Sequence, residues 1–261
     1  MKQWKLKYEL HTSFDQPVKK HSYSLRCFPQ EMLSQKVLTC RYEVLPLSRN
    51  SRSRDAFGNY ILFGCCEEEH TSFWVKVEAI VCTKDTPEPV IMEPYQLGMY
   101  RYGKGLTYMG DRLKEFYASL PPAKDKDVWS RTEEIMEKLS SSFSYVSGST
   151  GIHTTAEDAF AQGYGVCQDY AHILLSVCRK EGMTARYVAG TIPGEGETHA
   201  WVEVLGKEGW KGFDPTHNRP ANEDYICFAF GRDAADCGLN RGIFMGNALQ
   251  QQSVYVKMEE Y

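Results

Sequence analysis

The chain has 261 residues, ordinary apolar and charged fractions and a formal net charge of −4, enough length to bury one large core or two modest ones. The slightly acidic balance, without a lysine-arginine cluster interleaved with aromatics, argues against a nucleic-acid partner. Met1-Lys2-Gln3-Trp4-Lys5-Leu6 alternates charged and apolar residues where an export leader would be apolar, and no run approaches the ~18 apolar residues of a membrane span, so neither export nor a membrane partner is expected. The cysteines number nine, an odd count scattered without a small-domain framework, which suits reduced thiols in the cytoplasm. Cys65-Cys66 with His70 lack the C-x-x-C spacing that lets two thiolates reach one zinc, and no metal or cofactor is expected.

Residues 1 to about 85 read as strands. Trp4, Leu6, Tyr8 and Leu10 alternate with polar partners, as do Phe73, Val75, Val77 and Ala79, and Val37–Val44 and Tyr60–Phe63 add further strands. Asp55-Ala56-Phe57-Gly58-Asn59 has turn composition. Short strands with turns between them predict a small β-sandwich-like domain over 1–95, with a supporting or substrate-docking role. Pro87, Pro89 and Pro94, then Pro121-Pro122 ahead of Lys124-Asp125-Lys126-Asp127, mark a connector over 96–127, with a short helix around Asp111 to Ser119.

From 128 to 261 the pattern predicts helices first and strands second, an α+β domain. Ser130-x-x-Glu133 reads as a capping box ahead of Ile135, Met136, Leu139 and Phe143 on one helical face. Thr155-x-x-Asp158 opens a second helix, which Gly163 ends. Gly163-Tyr164-Gly165-Val166-Cys167 then leads into a run whose apolar members Ala171, Leu174, Leu175 and Cys178 recur at helical spacing, so Cys167 falls at a helix start. There the free N–H groups and the helix dipole favour thiolate. Thr184–Thr191 reads as a strand; His199–Val204 and Trp210–Phe213, joined at Gly206-Lys207-Glu208-Gly209, read as a hairpin; Tyr225–Phe230 and Ser253–Met258 read as final strands.

A nucleophile, a base and an acid that can orient the base thus follow one another as Cys167, His199 and Asp214, with one helix and one hairpin to bring them together. Singly each has a plainer reading: a packed thiol, a strand histidine, an Asx-Pro turn. His172 is a rival base, but five residues turn a helix by about 140° and aim it away from Cys167. His153 and His217 lie in loop contexts, His217 close enough to Asp214 to border the site but better read as a surface group. Asp169 reads as first-turn helix support, Glu203 as a solvent-facing strand residue. Glu195 and Glu197, in the glycine-rich loop before His199, could rim the cleft against acidic substrates.

Gly165-Val166-Cys167-Gln168-Asp169-Tyr170-Ala171, Ala185-Arg186-Tyr187-Val188-Ala189-Gly190, His199-Ala200-Trp201-Val202-Glu203-Val204, Phe213-Asp214-Pro215-Thr216 and Gly231-Arg232-Asp233 together resemble the bacterial transglutaminase-like cysteine proteases, and Asp55–Asn59 extends the resemblance into the N-terminal half. The resemblance implies a papain-like core, a helix bearing Cys167 against an antiparallel sheet, with His199 as base and Asp214 as its orienter. It departs at Cys237-Gly238-Leu239, where the family usually has a proline. Animal transglutaminases carry a tryptophan after the nucleophile and added calcium-binding domains; here Gln168 follows, so hydrolysis is favoured over cross-linking. The backbone N–H of Cys167 is the natural first oxyanion donor, Gln162 loosely resembles the papain-type second donor, and Tyr164, Trp201 and Trp210 are groove candidates. The expectation is a cytoplasmic cysteine hydrolase acting on a peptide or small amide through a thioester. Acyl transfer to an amine and a non-catalytic binding module are the alternatives, and oligomeric state stays open.

Overall fold

The computed structural model describes residues 1–91, 93–123 and 125–261; Met92, at the end of the expected N-terminal domain, and Lys124, in the expected connector, lie outside the described residues. The N-terminal half contains β1 (Lys2–Leu25), β2 (Gln35–Leu45), β3 (Arg49–Arg54), β4 (Tyr60–Cys66) and β5 (His70–Thr83). Along β1 the alternating Trp4, Leu6, Tyr8 and Leu10 are all buried, the period-two signature of a strand with one face on a core. The first half of β1 pairs with β5; past a break in register between Ser13 and Val18, its second half pairs with β4. One strand thereby serves both layers of a sandwich around a core that includes Leu62, Phe73 and Val75.

The helices are α1 (Pro94–Leu97), α2 (Asp111–Ala118), α3 (Val128–Ser140), α4 (Ala156–Gln162) and α5 (Cys167–Lys180), with β6 (Ser144–Tyr145) and β7 (Tyr164–Gly165) bridging between the last three. No helix among the described residues is long and apolar enough to cross a membrane. Helix α3 starts ahead of the expected capping box: its N-cap is Asp127, whose carboxylate accepts from the N–H groups of Trp129 and Ser130, and Ser130 itself donates its hydroxyl to Asp127. Thr155 caps α4 as its sequence predicts.

Helix α5 is buried continuously from Asp169 to Arg179, the burial expected of a helix with apolar residues around most of its circumference. It lies against a five-stranded antiparallel sheet ordered β12-β11-β10-β8-β13, made of β8 (Ala185–Thr191), β10 (His199–Gly206), β11 (Gly209–Asp214), β12 (Arg219–Pro220) and β13 (Ile226–Gly231); β9 (Gly194–Gly196) precedes β10. The predicted hairpin is β10–β11, with Val202 opposite Phe213. Glu203, expected to face solvent, is instead buried: it lies opposite Arg186, whose Nε donates to it at 2.6 Å while the guanidinium sits between the Trp210 and Phe230 rings.

The last strands, β14 (Asn240–Met245) and β15 (Gln250–Glu260), depart from the 128–261 grouping, because both pair with β1 of the N-terminal sandwich. β9 pairs in turn with β15, and Glu195 there is tied to Lys257 at 3.1 Å. The halves also share β13, whose Ile226 and Phe228 enter the sandwich core. Its free edge is satisfied by side-chain amides of the N-terminal half: Gln35 exchanges two hydrogen bonds with the backbone of Cys227, and Asn59 exchanges two with Phe230. The Asp55–Asn59 turn therefore has a definite use. Asp55 accepts from Arg26 and from the N–H groups of Phe57 and Asn59, holding the Asn59 amide toward β13.

Candidate active site

The start of α5 is built from the residues just before it. Gly163 closes α4 with φ of 83°, the left-handed C-terminal position that glycine occupies without strain. Asp169 then reaches back: its Oδ2 accepts from the N–H of Val166 at 2.8 Å and from the Thr150 hydroxyl at 2.6 Å. A Cβ on Gly165 would lie 2.5 Å from that oxygen, so the turn needs a residue without a side chain. Burial raises the pKa of Asp169, with the two hydrogen bonds opposing it. Asp169 is thus the helix support its position suggested. Cys167 emerges half-buried at the first position of α5, where backbone N–H groups have no acceptor within the helix.

His199, buried, begins β10 opposite Gly190. Asp214, fully buried, ends β11. Imidazole Nε2 and Asp214 Oδ2 are 2.8 Å apart, which leaves Nδ1 as the uncommitted nitrogen of the ring. Burial by itself would lower the pKa of His199. The hydrogen bond to Asp214, the nearby Cys167 thiol and the charges of both outweigh it, and the imidazole is raised to about 9. Burial would raise Asp214, yet hydrogen bonds from His199, His217 and Tyr225 hold its carboxyl far below the ordinary carboxylate range.

Asp214 is the most heavily bonded group in the site. Oδ1 accepts from the N–H groups of Thr216 and His217 at 2.9 and 3.3 Å. Oδ2, besides His199, meets His217 Nδ1 at 2.7 Å and the Tyr225 hydroxyl at 2.7 Å. Arg219 Nε donates to the same Tyr225 oxygen at 3.0 Å. The donor atoms of His199, Asp214 and His217 lie within 4.8 Å of one another, ligand types a divalent ion can use; in this structure they are joined through hydrogen bonds.

The structure therefore brings Cys167, His199 and Asp214 together, with His217 and Trp201 beside them. Gln162 is exposed and spends its amide on the Tyr164 carbonyl at 2.9 Å. Tyr164 is 41% exposed. Trp201 is buried behind His199, near-parallel at 6.4 Å, with its edge to Tyr225 at 5.2 Å, and it faces a cavity of about 190 Å³ between the two halves that is also lined by Trp129 and Trp210. His172 is wholly buried; desolvation lowers its pKa to about 3, and its Nε2 accepts from the N–H of Ala234, so it is a neutral packing group. His153 is exposed.

Sequence reasoning undervalued His217, which binds Asp214 directly, and passed over Tyr225 as a strand residue. Tyr145, exposed on the strand before α4, has its pKa raised by burial and then by the charges of Cys167 and Glu197. His217, three residues beyond Asp214 in the same turn, carried a positional signal. Tyr225 carried none.

Residues 118–215 match the family model of the transglutaminase-like superfamily, and residues 5–82 match that of the bacterial transglutaminase-like N-terminal region. The uncharacterized protein ML0607 of Mycobacterium leprae is 25% identical to this chain, with 94% of each covered. Uncharacterized protein Mb2599c of Mycobacterium bovis is 27% identical over 84% of this chain and 80% of its own. Among solved structures, a candidate cysteine protease from Cytophaga hutchinsonii superposes with a TM-score of 0.80 at 23% identity, covering 99% of this chain and 90% of that one. That likeness is one of fold.

Proposed function

Since the chain belongs to the bacterial transglutaminase-like superfamily, we propose that it is a cysteine hydrolase that cleaves a peptide or isopeptide amide through a Cys167 thioester. The observation that carries this reading is the setting of His199, one nitrogen bonded to buried Asp214 and the ring's pKa raised by Asp214 and Cys167 together. With its pKa raised to about 9, the imidazole is protonated at neutral pH and has a proton to give.

In the first half-reaction the Cys167 thiolate adds to the amide carbon, and the C=O electron pair moves onto oxygen. The N–H groups at the start of α5 are placed to receive that charge. Collapse re-forms the carbonyl and breaks the C–N bond, the leaving amine taking the proton from His199. In the second, His199 removes a proton from water, the hydroxide oxygen adds to the thioester carbon, and collapse releases a carboxylic acid and the thiolate. Asp214 keeps the ring oriented and stabilises its cationic form throughout.

Screening amide and peptide libraries against the full chain, with and without an added primary amine, tests the reading. Carboxylate products from the parent protein and none from Cys167→Ala, with an unchanged melting profile, are expected. Transfer products that supplant hydrolysis when amine is present would move the assignment to acyl transfer. Turnover that survives in Cys167→Ala would remove the thiol from the chemistry.

A further inference from the structure

Tyr225 lies outside both stretches that match family models, yet it touches the buried carboxylate beside His199. Its hydroxyl direction is fixed by its neighbours. Arg219 can only donate, so its Nε occupies a lone pair on the Tyr225 oxygen and the phenolic proton goes to Asp214 Oδ2. That oxygen is shared among His199, His217 and Tyr225. Each donor withdraws part of the negative charge that would otherwise stabilise the imidazolium.

The position of Tyr225 is set from the N-terminal half on both sides. Ahead of it, the Glu223 carbonyl accepts from Trp4 Nε1 at 2.9 Å and from the Thr83 hydroxyl, and Lys2 pairs with Asp224 at 2.6 Å. Behind it, Gln35 grips both backbone groups of Cys227, and Gln30 donates its amide to the Phe228 carbonyl at 2.6 Å. The residues on either side of the phenol are thus fastened to the sandwich, and β13, which follows the phenol, joins the same helix-backed sheet that carries Asp214.

We propose that the N-terminal domain acts on the reaction through Tyr225, a positioning residue whose phenol takes part of the Asp214 charge and so sets how tightly His199 holds its proton. The inference rests on the Cys167 acyl-transfer reading. The charged and titratable groups facing this cluster are Cys167 from α5, His217 from the turn after β11, Arg219 from β12, and the Asp224–Lys2 pair at the domain junction. Removing the phenolic donor leaves Asp214 anchored by Thr216 and His217, and gives His199 a larger share of the carboxylate.

Titrating the histidine side chains of the full-length protein by NMR, with His199→Asn used to assign the ring, reads this directly and needs no substrate. In the parent protein, alkylating Cys167 is expected to lower the His199 midpoint, because its anionic partner is gone. Tyr225→Phe is expected to raise that midpoint by about half a pH unit, a change near 0.7 kcal/mol. Thr83→Val, which removes one of the two hydrogen bonds to the Glu223 carbonyl without altering side-chain shape, and Gln35→Ala, which removes the side-chain hold on Cys227, are expected to raise it by less. An alkylation-insensitive His199 would overturn both this proposal and the reading beneath it. Sensitivity to alkylation with an unmoved or lowered midpoint in Tyr225→Phe would overturn the role of Tyr225 alone. A raised midpoint in Tyr225→Phe, with both N-terminal variants superimposed on the parent, would overturn the link to the N-terminal domain.

Discussion

At the scale of single residues, the proposed chemistry turns on how strongly His199 is held in its charged form. The imidazole is raised from 6.5 to about 9 in the folded chain, so folding is favoured by proton binding there. The resulting stability is fully present below about pH 6.5 and is lost as pH rises through about 9. The melting temperature of the parent protein should therefore fall across that window, and His199→Asn should fall less, which parallel thermal scans at a series of pH values would measure. Equal slopes for the two proteins would mean that His199 is not held by its partners as described. Cys167, His199 and Asp214 were legible in the sequence as candidates because each sits at a marked place: a helix start after glycines, a strand start, a turn before proline. Tyr225 was not, because an aromatic at the head of an apolar strand reads as core, and its partner lies in a different strand. Glu203 misled for a related reason, since alternation predicts an outward charge and gives no warning that Arg186 will be buried opposite it.

At the scale of elements, the thiol is only as well placed as the first turn of α5. Asp169 fastens that turn to Val166 and Thr150 and is itself completely buried. Asp169→Ala leaves both donors without an acceptor, at a cost of about 1–3 kcal/mol, and lets the turn carrying Cys167 relax. A denaturant midpoint lowered by that amount, together with slower alkylation of Cys167, is the expected pair of results; a loss of stability with Cys167 reactivity untouched would mean that the turn does not position the thiol. Helix α4 and the β10–β11 hairpin were legible because their start and stop signals are local, as with Thr155, Gly163 and Gly209. Helix α3 was displaced because Asp127 and Ser130 are both capping residues, and Asp127, earlier in the chain, takes the cap.

For the whole molecule, the two halves are interlaced. Strand β1 is paired on one side with β15 from the end of the chain, and β13 of the helix-backed sheet feeds Ile226 and Phe228 into the sandwich core. Long-range pairing of this kind leaves little mark on local composition, which is why an uninterrupted C-terminal domain was the natural expectation from sequence. Truncation before Asn240 strips β14 and β15 from β1, uncovers that strand's backbone and removes Val256 and Met258 from the core. Circular dichroism of the shortened chain should show loss of the single cooperative melt expected of the intact protein. An unchanged melt would mean that the C-terminal strands are accessory.

The central claim is that His199 acts on one particular thiol, Cys167. Five cysteines of the chain, Cys27, Cys66, Cys178, Cys227 and Cys237, are buried and have raised pKa values, and Cys40, the most exposed, is raised as well. Brief iodoacetamide treatment near pH 6, read out site by site by mass spectrometry, sets Cys167 against Cys40 within one molecule. The account predicts that Cys167 is modified first in the parent protein and loses that lead in His199→Asn. Modification that follows exposure, with Cys40 first in both proteins, would contradict it.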